Sequence, residues 1–245
     1  MNNRLSLVLA AAALVVPLAL SAPALATSFA VLLGSSERPD ADKARDADRN
    51  PAGIMAFAGI KAGSKVAELA PGGGYYTRLL SAAVGPKGYV YSFAGKPSVA
   101  VVEWAKRHAN VAMQVGQPGD KLSPEPVDVV WTTLNYHDFK NNKQGDSDAA
   151  AKFNQAAFAA LKPGGVYLVN DHEAAPGAGV SQTQSHHRIE SAAVIREVEA
   201  AGFKLDARSN LLRHPGDVLT MPLKDSVRGK TDQFVLRFKK PKGKR

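Results

Sequence analysis

Val66-Ala67-Glu68-Leu69-Ala70-Pro71-Gly72-Gly73-Gly74-Tyr75-Tyr76-Thr77-Arg78-Leu79-Leu80 reads as a short apolar strand, a glycine-rich turn and the opening of a helix. A strand that ends on such a turn brings backbone close to a ligand where side chains would obstruct it, and the following helix points its first N–H groups into the same space. Glu68, near the strand end, offers a carboxylate to a ribose or an amine. This is the layout of a nucleotide-type cofactor site in an α/β fold. No Gly-Lys-Ser/Thr follows the turn, which disfavours Walker-type phosphate binding, and the G-x-G-x-x-G dinucleotide spacing is absent.

Outward from this stretch, strand and helix signals alternate. Residues 65–70, 89–93, 111–115, 127–133, 166–170, 203–207 and 233–238 are predicted strands, and 75–84, 99–108, 149–161 and 189–201 helices. Residues 40–59 are predicted to add one or two helices before the sheet, and 141–146 to form a connecting loop. Apolar strands alternating with helices imply a largely parallel sheet covered on both faces.

The turn fits the first motif of class I S-adenosylmethionine-dependent methyltransferases, with Glu68, Ala70, Gly72 and Gly74 in the motif's positions and Ala70 replacing the usual first glycine. Leu161-Lys162-Pro163-Gly164-Gly165-Val166-Tyr167 and the end of the next helix, 199–203, also resemble that family. More closely, Glu68-Leu69-x-Pro71-Gly72-Gly73-Gly74-x-Tyr76-Thr77, Asn135-Tyr136-His137-Asp138 and His187-Arg188-Ile189, in that order, resemble the exported methyltransferases of Gram-negative bacteria, over about residues 38–238. The resemblance implies a Rossmann-like fold with a seven-stranded, mostly parallel sheet and an antiparallel last strand. It also implies S-adenosylmethionine as cofactor, bound at Glu68, Ala70, Pro71, Gly72 and Gly74, with Asn135 and Tyr136 lining the pocket. One departure stands out: the second strand ends Tyr91-Ser92-Phe93-Ala94-Gly95, without the family's acidic residue, so that Phe93 or Ser92 takes its place at the cofactor.

Of the six histidines, His137, His172, His186 and His187 fall after the fourth and fifth predicted strands or in the next loop. In a doubly wound sheet these places lie along the carboxyl edge, where ligands bind. An imidazole with a pKa near ~6.5 can take a proton from an attacking hydroxyl or amine. His137, oriented by Asp138, is the first candidate and His187 the second. A divalent ion on the histidines, Asp138 and Asn170 or Asp171 is an alternative, but no fixed ligand spacing assigns a metal. The function implied is methyl transfer to a small or medium acceptor, at oxygen; a binding protein that keeps the fold, or a metal-dependent enzyme, are the alternatives.

Met1-Asn2-Asn3-Arg4, an apolar run over 5–20 and Ala24-Leu25-Ala26 form a secretory leader, with the mature chain expected to begin at Thr27 in the periplasm. Pro17 interrupts an apolar stretch shorter than the ~20 residues that span a bilayer, so stable membrane insertion is not expected. With no cysteine, neither a lipid anchor nor disulfides are available. Residues 27–238 are read as one domain and 239–245 as a basic, solvated tail. The net charge of +9 lacks the aromatic interleaving of a nucleic-acid module, so no specific nucleic-acid partner is expected. Oligomeric state is not legible.

Overall fold

The computed structural model describes Phe29 and residues 32–144, 147–223 and 230–243; the expected leader, 1–26, lies outside the described residues. The stretch 40–59 forms three helices, α1 (Asp40–Lys43), α2 (Asp46–Arg49) and α3 (Pro51–Ala58). Asn50 separates the last two. It turns left-handed at φ 38°, ending α2, and its side chain accepts from the Gly53 N–H to cap α3, with Pro51 in the first helical position.

β1 (Lys65–Leu69), α4 (Tyr75–Val84), β2 (Tyr89–Ala94), α5 (Val99–Ala105), β3 (Val111–Val115) and β4 (Val127–Thr133) follow as the alternation predicts. α6 (Tyr136–Asn141) comes next, and the stretch expected as a connecting loop, 141–146, instead takes in the end of that helix and β5 (Lys143–Gln144), which pairs antiparallel with β6 (Ser147–Asp148). Next come α7 (Ala149–Ala160), β7 (Leu161–His172), a short α8 (Thr183–His186), α9 (Ser191–Ala200), β8 (Lys204–Ser209) and β9 (Gln233–Lys239).

Seven strands make one sheet in the order β3-β2-β1-β4-β7-β9-β8. Each pair from β3 to β7 is parallel, whereas β9 runs antiparallel to both β7 and β8. Apolar residues alternate between the two faces: Ala67, Leu69, Tyr167 and Val169 pack toward α7 and α9, while Val66, Trp131 and Leu168 pack toward α3 and α4. The strand order reverses between β1 and β4, so their carboxyl ends open a crevice.

β7 is longer than predicted at both ends. The Lys162-Pro163-Gly164-Gly165 turn is drawn into the strand because the Gly164 N–H donates to the Lys240 carbonyl and the Lys240 N–H to that of Gly165. The same contacts tie the first two residues of the basic run, Lys239 and Lys240, to the sheet. Lys239 pairs with Val166, and the Lys240 ammonium donates to the Phe158 and Leu161 carbonyls at the end of α7. No helix among the described residues is long and apolar enough to cross a membrane.

Candidate active site

A cleft of about 760 Å³ opens at the carboxyl ends of β1 and β4. Its first wall is the glycine turn. The backbone turns left-handed at Ala70 (φ 51°), Gly72 (φ 54°) and Gly74 (φ 79°), and no side chain caps α4 at Gly74. Ala70 is the costly member, since a Cβ in this region clashes with its own carbonyl by roughly 1–2 kcal/mol. Its N–H is held by the Phe93 carbonyl at 2.8 Å, which fixes the conformation. Ala70→Gly is therefore expected to raise unfolding free energy by roughly 1 kcal/mol; denaturant titration checks it, and a destabilised variant would mean that the Ala70 methyl has packing value.

Glu68 lines the cleft, yet it is only 2% exposed. Its Oε2 accepts from Thr77 Oγ1 at 2.6 Å and Ser92 Oγ at 2.8 Å. Burial pushes its pKa up to about 7, against the two hydroxyl bonds and the Arg78 charge, which pull the other way. The raised value means that stability is fully present below the ordinary 4.5 and is lost as pH rises through about 7. Glu68→Gln should thus gain on the wild type as pH rises from 5 to 8, by up to about 3 kcal/mol. Denaturation at both pH values tests this, and an equal effect at both would show the carboxylate neutral or fully compensated.

The second wall is the end of β4. Leu134 is left-handed (φ 58°), and the Asn135 amide donates to the Ala70 carbonyl at 3.1 Å and to that of Thr133 at 2.6 Å. Asn135 thus ties the ends of β1 and β4 together across the crevice. α6 starts there and carries His137 and Asp138 into the cleft.

His137 is 4% exposed. Its Nδ1 pairs with Asp171 Oδ1 at 2.8 Å, and its backbone N–H donates to Asp171 Oδ2 at 2.8 Å. Asp171, fully buried at the end of β7, also accepts the His172 N–H. With Nδ1–H donated to this carboxylate, the Nε2 lone pair is left free. Burial lowers the His137 pKa, but the Asp171 charge and hydrogen bond, helped by Asp138, outweigh it and hold the imidazole above its ordinary value. Burial likewise raises that of Asp171, and His137 more than reverses it. The orienting carboxylate is therefore Asp171, not Asp138. Asp138 Oδ1 lies 3.4 Å from His137 Nε2, on the cleft side, and 3.6 Å from His187 Nδ1. His187 is half-exposed and left-handed (φ 52°). His172 also lines the cleft, bonded to Thr231, and burial brings its pKa down to about 4, so it is neutral.

Several candidates sit elsewhere. Phe93 is packed against Phe153 in the core, and no residue of β2 lines the cleft; the side chain alternates away from the crevice. Tyr136 is fully buried on the α7 side, its hydroxyl donating to Glu197 and accepting from Asn154. Gly74 faces Arg78 and Val101 rather than the cleft. His186 bonds Ser185 outside it, and Asn170 is spent on Gln233 and the Phe234 carbonyl. Pro71, Gly72, Asn135, Asp138 and His187 all line it. Sequence reasoning missed Arg45 and Arg49, which line the cleft beside Tyr75, the Arg49 guanidinium 4.6 Å from the ring centre.

No protein-family model matches the chain, and no curated protein does. Solved structures do. A SAM-dependent methyltransferase from Aquifex aeolicus superposes with a TM-score of 0.56 at 18% identity, over 78% of this chain and 89% of that one. The fold is that of the Rossmann-like methyltransferases. A putative sarcosine dimethylglycine methyltransferase from Galdieria sulphuraria gives 0.58 at 14% identity, over 81% and 85%. The [4+2]-cyclase SpnF gives 0.57 at 15%, over 80% and 82%, so the same scaffold also serves other chemistry.

Proposed function

We propose that this chain transfers a methyl group from S-adenosylmethionine to an oxygen of a small or medium acceptor. The observation that carries the reading is the opposition, across one cleft, of the Glu68–Gly72 turn and the Asp171–His137 pair. The cofactor's cationic end suits the buried Glu68 carboxylate, and its close approach needs the bare Gly72 backbone. In the reaction the acceptor's oxygen forms a bond to the methyl carbon as the carbon–sulfur bond breaks. The bond pair stays on sulfur, leaving a neutral thioether. The hydroxyl proton leaves toward the cluster around His137, whose tautomer Asp171 fixes.

Calorimetry with S-adenosylmethionine and its demethylated product tests the reading. Micromolar to sub-millimolar binding is expected, and no binding at millimolar concentration would end it. A second reading, a binding protein that keeps the fold, is favoured by β2 ending Ser92-Phe93-Ala94 without a carboxylate; cofactor binding with no methylated product across an acceptor panel would select it. A cleaved leader over residues 1–26 would put the reaction in the periplasm, and a mass beginning at Thr27 in the periplasmic fraction checks that.

A further inference from the structure

His137 Nε2, Asp138 Oδ1 and His187 Nδ1 converge on one point of the cleft wall. One ligand atom from each of these three residues lies within 4.8 Å of the other two, and two separations are 3.4 and 3.6 Å. A tetrahedral ion with bonds of ~2.0–2.1 Å holds its ligands about 3.3–3.4 Å apart, so the 3.4 Å separation already suits one and the 3.6 Å separation needs only a small side-chain adjustment. The same distances are too long for good hydrogen bonds, and none of the three atoms has a hydrogen-bond partner among the described residues. Two side chains stand half-exposed with their polar atoms unsatisfied by protein, which leaves room for a ligand.

The surroundings fix the set in place. Asp171 holds the far nitrogen of His137, the carboxylate–histidine arrangement that orients a metal-bound imidazole. Next to His187, the fully buried Arg188 is pinned by Asp217 and by the Glu173 and Met221 carbonyls. Two imidazoles and one carboxylate select a borderline transition ion over magnesium or calcium, and three protein ligands leave a position open to the cleft.

We infer that His137, Asp138 and His187 bind a divalent ion of the zinc class, with its open position facing the acceptor's part of the cleft. What the ion does there rests on the proposed methyl transfer: the acceptor's hydroxyl occupies the open position, loses its proton to solvent on coordination, and attacks the methyl as an oxyanion. Loaded, the protein uses His137 as ligand; stripped, it has the Nε2 lone pair as base.

The test is calorimetry of chelator-stripped full-length protein with zinc chloride, and cobalt(II) absorption as a second readout, both without cofactor. One ion per chain is expected, with tetrahedral-type cobalt bands. Asp171→Asn should weaken binding about 10- to 100-fold, and His137→Ala or His187→Ala by more. His186→Ala, one residue from His187 but outside the cleft, should bind as wild type. His187 is half-exposed, so its variant folds even where that of His137 does not. Wild-type affinity no better than that of His187→Ala, or equal losses in His186→Ala, would overturn the site. Zinc bound without S-adenosylmethionine binding would sink the methyltransferase reading and leave the metal site standing; cofactor bound without zinc does the reverse.

Discussion

His137→Ala is expected to lower methyl-transfer turnover by about 10²–10⁴-fold, the contribution of a positioned acid–base group, while the affinity for S-adenosylmethionine stays within a few-fold. The split follows from position. His137 stands on α6 after β4, across the crevice from Glu68 and Gly72. Its loss leaves Asp171 buried but still accepting the backbone N–H groups of residues 137 and 172. The fold therefore loses about 1–3 kcal/mol and not its integrity. In metal-stripped protein the wild-type rate should rise with pH through a value above the ordinary 6.5, because the Asp171 charge outweighs burial and favours the imidazolium, which must shed its proton before it can act. The alanine variant should lack that step. If stripping abolishes turnover and zinc restores it, the loss on substitution is a ligand's. Full activity in the variant on a confirmed acceptor would make His137 structural and turn attention to His187.

The fold was legible because its signals are local. Each central strand is an apolar run ended by glycine, proline or a polar turn, and the order of elements admits few topologies. Placing His137, His172 and His187 on one edge needed only that order. What failed was side-chain direction. Phe93 stands where the family has an acid, but the pleat turns it into the core beside Phe153. Asp171 lies next to His172 in sequence; only the pairing of β7 with β9 through Asp171 and His172 reveals that its carboxylate faces α6. Arg45 and Arg49 belong to the charged part of a stretch that the sequence reads only as one or two helices. The fold packs it over Tyr75, whose hydroxyl donates to Asp46 at 2.6 Å, and so carries both guanidiniums to the cleft. No pattern in the sequence marks that contact, which joins residues 29 positions apart.

Gly72→Val should weaken binding of S-adenosylmethionine and its demethylated product by at least ~100-fold, about 3 kcal/mol, the scale of inserting bulk into a filled site. A Cβ built at Gly72 meets nothing within 4 Å, so the added branches project into the open cleft, where the cofactor would lie. The same φ of 54° costs the variant roughly 1–2 kcal/mol of backbone strain, which a thermal melt should register as a modest drop. Gly74→Val should behave differently. Its Cβ would meet Arg78 Nη1 at 2.9 Å and Val101 at 3.3 Å. Arg78 is held by the buried Asp42 and the Gly73 carbonyl, and has little room to move. That variant should lose more stability than Gly72→Val, since breaking a buried ion pair costs several kcal/mol. Measured side by side, one substitution removes the ligand from a folded protein and the other loosens the fold. If Gly72→Val binds the cofactor as tightly as wild type, the cofactor does not lie against this turn, and the assignment of the cleft's two ends falls with it.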